Sequence, residues 1–84
     1  HALVVAGAPM DSLAKLFSAD KGSGANGGDL GWAKRGSYVP EFDRLAFALR
    51  PGALSPVFRT VYGYHFLRVE RSRPAETRVR HILI

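Results

Sequence analysis

Residues 61–84 narrow the possible folds more than any other stretch of this chain. They hold two runs of alternating side-chain character with a turn between them. In Val61–Val69, Tyr62, Tyr64, Phe66 and Arg68 alternate with Val61, Gly63, His65, Leu67 and Val69. In Thr77–Ile84, Thr77, Val79, His81 and Leu83 alternate with Arg78, Arg80, Ile82 and Ile84. A period of two is that of a strand whose faces meet different surroundings. Ser72-Arg73-Pro74 lies between the runs, and proline cannot donate to a ladder. Residues 71–76 are therefore expected to turn, and the two runs to pair as an antiparallel hairpin.

Upstream the period changes. Met10, Leu13, Ala14, Leu16 and Phe17 fall on one helical face, with Pro9 before them and Asp11 at the positive end. A second helix is expected over Glu41–Leu49, where Phe42, Leu45, Ala46 and Leu49 share a face. Pro40 suits its first turn, Glu41 and Asp43 its N-terminus, and Pro51-Gly52 stops it. Leu54–Phe58 reads as a short extended piece. Residues 1–6 read as a helix end or a short strand. Ser18 to Gly28 is built of small and polar residues and reads as a loop, long for a domain of this size. It runs into Gly-Gly-Asp-Leu-Gly-Trp at 27–32, where the glycines serve turns with positive φ and Asp29 caps or bonds the turn. This glycine-rich segment lacks the Gly-Lys-Ser/Thr ending of a phosphate loop and no strand opens onto it, so nucleotide binding is not indicated. Trp32 and Phe47 read as core residues.

At 84 residues the chain has room for one domain, 1–84, with a small core. It has no cysteine, which excludes disulfides and thiolate metal sites. The net charge is +5, with arginines gathered at Arg68, Arg71, Arg73, Arg78 and Arg80. These read as a solvated strand face. A nucleic-acid surface would interleave exposed aromatics with the cations, and here the aromatics fall at core-like spacings. No apolar stretch is long enough to span a bilayer. His-Ala-Leu-Val-Val-Ala-Gly-Ala at the start has neither the basic leader nor the length of a signal peptide.

Five segments share a further property. Phe17-Ser-Ala-Asp20, the 27–32 run, Val39–Leu49, Gly52–Val57 and Thr60–Val69 agree in order and spacing with the parvulin (PpiC, rotamase) family of peptidyl-prolyl isomerases. The chain resembles that family over residues 6–70, in the form found in bacterial periplasmic foldases. The resemblance implies an α+β fold in which helices wrap a four-stranded antiparallel sheet. The strands would be Leu3–Ala6 or Trp32–Ala33, then Leu54–Phe58, Val61–Val69 and Thr77–Ile84. It implies an extracytoplasmic setting, proline-containing unfolded or extended polypeptides as partners, no cofactor and no metal. A monomer is expected, with a strand-swapped dimer as the alternative.

One segment is out of family order. A stretch like Val79–Ile84 is the first strand in parvulins, whereas here residues 77–84 follow the strand that normally ends the domain. The order fits a circular permutant with Arg71–Glu76 joining the old termini, or a cut from a tandem array. Permutation is the better working account, because the family's first and last strands are antiparallel neighbours that accept a short link.

A proline isomerase breaks no covalent bond. It lowers a rotation barrier of about 18–20 kcal/mol, which calls for an apolar cup around the proline ring and polar groups that favour the twisted amide. The resemblance assigns the polar centre to His65 and His81, facing each other on adjacent strands, with Thr60 bonded into the pair and Asp20 near the substrate carbonyl; two histidines side by side can share one proton. It assigns the cup to Leu30, Tyr38 and Phe42. Tyr38 stands where the family pattern usually has methionine, and its hydroxyl needs a partner. Purely structural roles remain open for the histidines as sheet supports, for Asp20 as a turn residue and for Phe42 as core. The basic loop of phosphate-selecting parvulins has no counterpart here. The alternative function is a weak or inactive parvulin-fold module that binds proline-containing or aromatic-rich segments without turnover.

Overall fold

The computed structural model describes all 84 residues, His1 to Ile84. Four antiparallel strands form one sheet: β1 (Asp29–Lys34), β2 (Phe58–Thr60), β3 (Gly63–Arg73) and β4 (Glu76–Leu83), in the spatial order β1-β4-β3-β2. The two alternating runs pair as a hairpin from His65↔Leu83 to Arg73↔Glu76, with a register shift between Val69 and Arg71. The ladder thus continues through Ser72↔Thr77, and the turn narrows to Pro74-Ala75.

The period of two divides the sheet's faces between separate cores. On one face, Leu67, Val69 and Val79 pack under Phe42 and Ala46 of helix α4 (Pro40–Ala48). On the other, Phe66 and Ile82 pack under Met10 and Ala14 of helix α2 (Met10–Phe17). Each burial follows from pattern: helical spacing aligns the apolar stripes of α2 and α4, and strand alternation sends Phe66 and Leu67 to opposite sides. Pro40 occupies the first turn of α4. Both Asp43 carboxylate oxygens accept the Gly36 N–H at 3.1 Å, which ties the entry of that helix to the preceding turn.

Of the two alternatives for residues 1–6 the helix is found, as the one-turn α1 (Ala2–Val5), so the first strand is β1, which contains Trp32–Ala33. Elsewhere the structure departs from sequence expectation. The Ser18–Gly28 loop contains a one-turn helix, α3 (Lys21–Gly24), capped by Asp20. Leu54–Phe58 does not form a strand. Leu54 makes a single bridge to Arg68, and β2 starts only at Phe58. Ser55 explains the interruption: its N–H donates to Leu67 O and its Oγ accepts the Leu67 N–H, so a side chain replaces part of the ladder. Trp32 is half-buried beneath the Arg73 guanidinium, 3.9 Å from the ring centre, and lies outside both cores. Tyr62 and Tyr64 are exposed, at 68% and 52%: Tyr62 lies in the turn between β2 and β3, and Tyr64 pairs with Arg59 of the short edge strand.

Candidate active site

The floor of the site is a pair of histidines. His65 on β3 and His81 on β4 are one register step apart, each paired with the other's neighbour two residues along: His65↔Leu83 and Leu67↔His81. Their rings stack with centroids 5.7 Å apart and planes inclined by 22°. Both are buried, at 4% and 5% exposure. Phe42 meets both edge-on, at 5.6 and 5.5 Å, and Phe58 stacks on His65 at 5.4 Å.

Each imidazole is fixed by its Nε2. Thr60 Oγ1 lies 2.7 Å from His65 Nε2 and accepts the Tyr62 N–H at 3.1 Å, which leaves its own proton to donate to the imidazole. His81 Nε2 lies 2.9 Å from Asp20 Oδ2 and 2.9 Å from Ser23 Oγ. Ser23 Oγ in turn donates to Asp20 Oδ2 at 2.8 Å. A carboxylate only accepts, so His81 carries its proton on Nε2. The two rings do not share a proton. Nδ1 of each is buried without a hydrogen-bond partner, and this corrects the sequence expectation: stacked rings do not aim their nitrogens at one another.

The electrostatics follow from these contacts. The Ser23 hydroxyl holds the Asp20 carboxyl below its ordinary value, and His81 adds to this against the opposing effect of burial. Burial lowers His65, aided by the neighbouring His81. Burial also lowers His81, although Asp20 pulls the other way. The site at neutral pH is thus an ionised carboxylate beside two neutral imidazoles.

The 18–28 loop is strapped along β4, and this brings Asp20 and Ser23 to His81. Ala19 N–H donates to Leu83 O (2.6 Å), Leu83 N–H to Ser18 Oγ (3.1 Å), His81 N–H to Gly28 O (2.9 Å) and Arg80 Nη1 to Gly27 O (2.6 Å). Gly28 has φ 83°, and a Cβ there would collide with the carbonyl of His81. Asp29 bonds the turn as expected, accepting the Gly31 N–H at 2.9 Å while paired with Arg78.

A cavity of about 490 Å³ opens above the histidines. Asp20, Leu30, Tyr38, Phe42, His65 and His81 line it, so every sequence-predicted site residue but Thr60 reaches the same space. Thr60 lies behind, bonded to His65. Tyr38 stacks at a tilt on Phe42, with centroids 4.6 Å apart, and its hydroxyl is buried with no partner. Phe42 belongs to core and cavity wall at once. Sequence reasoning missed Ser37, Val39, Tyr62 and Leu83 in the wall, and Ser23 beneath it. A serine inside a glycine-rich loop carries no pattern to mark it. No group of three or more His, Cys, Asp or Glu side chains is placed to hold a metal ion.

An α+β domain with a four-stranded antiparallel sheet, a histidine pair and an apolar cup beside them is the arrangement expected of a parvulin. Comparison with known proteins agrees. The family model for the rotamase, PPIC-type PPIase domain matches residues 2–71, and the chain belongs to that family. His81 and the whole of β4 lie beyond the matched residues. Among similar proteins is the chaperone SurA of Aromatoleum aromaticum, 50% identical over 70 residues, covering 83% of this chain and 16% of that protein. SurA of Alcanivorax borkumensis is 50% identical over 60 residues, covering 71% of this chain and 14% of the relative. The foldase protein PrsA of Geobacillus kaustophilus is 46% identical over 63 residues, covering 75% and 22%. The chain therefore spans a minor part of the length of the curated relatives it matches. Family and relatives define a parvulin-like isomerase or chaperone domain.

Proposed function

We propose that this domain accelerates Xaa-Pro isomerisation in unfolded or extended polypeptides by a non-covalent mechanism. The observation that carries this is the convergence of an apolar wall and a hydrogen-bonded polar centre on one cavity. Leu30, Tyr38 and Phe42 would hold the proline ring. Asp20, bonded to Ser23 and His81, would face the carbonyl that turns. A planar amide carries negative charge on that oxygen through resonance, and a carboxylate beside it makes that charge unfavourable. The twisted amide has less of it, so the barrier falls. The buried imidazoles keep the centre neutral apart from Asp20 and fix its geometry through Thr60 and Ser23. The family resemblance extends the proposal to a periplasmic or otherwise extracytoplasmic setting. No helix here is long and apolar enough to cross a membrane.

A second reading, binding without turnover, is favoured by one observation: a rigid Tyr38 ring packs on Phe42 in the cup, where the family pattern has a flexible methionine. A protease-coupled assay on Xaa-Pro peptides separates the two, comparing the chain with His81→Ala at matched folding by circular dichroism. Acceleration of the slow phase that drops in the variant supports the isomerase. A folded chain without acceleration leaves the binding module.

A further inference from the structure

We propose that the pocket selects a basic residue immediately before the proline, held by the Asp20 carboxylate and the exposed ring of Tyr62. This rests on the isomerase reading above and names its substrate class. The chain is rich in cations, with Lys and Arg totalling 12 against 7 Asp and Glu. Yet no Lys or Arg lines the cavity, and Asp20 is its one carboxylate. With both imidazoles neutral, the pocket carries a negative charge inside a positive molecule.

The remaining wall suits the stem of a long cationic side chain. Ala19 N–H donates to Leu83 O, which brings Asp20 against the end of β4. Leu83 pairs with His65 and lines the cavity together with Tyr62. Tyr62 is 68% exposed, and its N–H is fixed to Thr60 Oγ1, so its ring is presented from an anchored turn. Leu83 and the Tyr62 ring take the methylenes and the face of a guanidinium, and Asp20 takes its charge. The Asp20 side chain is 35% exposed, which leaves carboxylate lone pairs free beyond those used by Ser23 and His81. An acidic or phosphorylated residue in the same place meets a carboxylate and no counter-charge. The selected position is the one before the proline because its carbonyl is the group assigned to the Asp20 side of the pocket.

The test is exchange NMR on Ala-Xaa-Pro-Phe peptides with Xaa as Arg, Leu or Glu, at low and high salt. We expect kcat/KM for Arg to exceed that for Glu by roughly tenfold, the yield of one exposed ion pair and one cation–π contact. Salt should shrink the ratio. Asp20→Asn should bring it close to unity whatever happens to the absolute rates, and Tyr62→Ala should lower Arg relative to Leu. Equal turnover of Arg and Glu peptides by the unaltered chain overturns the proposal, as does a ratio that survives Asp20→Asn. Turnover of no peptide defeats the isomerase reading instead. Chemical-shift titration of the same peptides then decides the charge preference: tighter binding of Arg than Glu upholds it, and equal binding overturns it.

Discussion

Ser23 joins the two groups that matter most in the pocket, since its hydroxyl reaches both Asp20 and His81. The bond it donates to Asp20 is worth about 1 kcal/mol, a rate change of roughly fivefold, while His81 keeps its direct bond to Asp20 when the hydroxyl is removed. Ser23→Ala should therefore leave the fold intact, lower isomerase activity by that factor and raise the Asp20 carboxyl pKa, read by carbon-detected NMR titration. The histidines set the pH response. Both are held below their ordinary value of 6.5. As pH falls below 6.5 the unfolded chain takes up protons that the folded chain refuses, so stability drops from there toward the lowered folded values. Asp20 and Asp29 act in a separate window. Both sit below 3.8, through the hydrogen bond from Ser23 in one case and from Arg78 in the other, and their contribution is lost only as pH falls under that value. Melting temperature against pH should fall in two stages, and His65→Leu should flatten the upper one.

At the scale of elements, Gly28 and Gly31 offer a controlled comparison. Both have positive φ, but a side chain at Gly31 meets open space and one at Gly28 meets backbone. Gly31→Ala should cost about 1 kcal/mol of conformational strain, and Gly28→Ala clearly more, with the loop lifted from β4. Urea denaturation of the two variants measures the difference. What was legible in the sequence follows the same division between pattern and contact. The β3–β4 hairpin, α2 and α4 announce themselves through periods of 2 and 3.6, because alternate strand residues and one stripe of each helix enter the two cores, although Leu16 and Phe17 at the end of the α2 stripe are exposed. The Asp20, His65, His81, Leu30 and Phe42 set was legible through family resemblance. Helix α3 was not, since one turn of Lys-Gly-Ser-Gly has no apolar stripe and depends on its Asp20 cap. Leu54–Phe58 misled for a related reason: the piece is extended, but Ser55 uses its side chain where a strand would use backbone.

For the molecule as a whole, two small cores share a single sheet. Leu67 is fully buried in the core beneath α4, and Leu67→Ala should cost about 2–5 kcal/mol. For a domain of this size that is a large share of the total. Equilibrium unfolding in urea should show the midpoint falling steeply, with the transition still cooperative because both cores rest on β3 and β4. β4 lies between β1 and β3, so its departure would split the sheet. With β4 undocked, β1 and β3 each present an unpaired edge, the 18–28 loop loses its seat and the histidine pair is halved. A single local opening would therefore uncover the sheet edges and dismantle the site together.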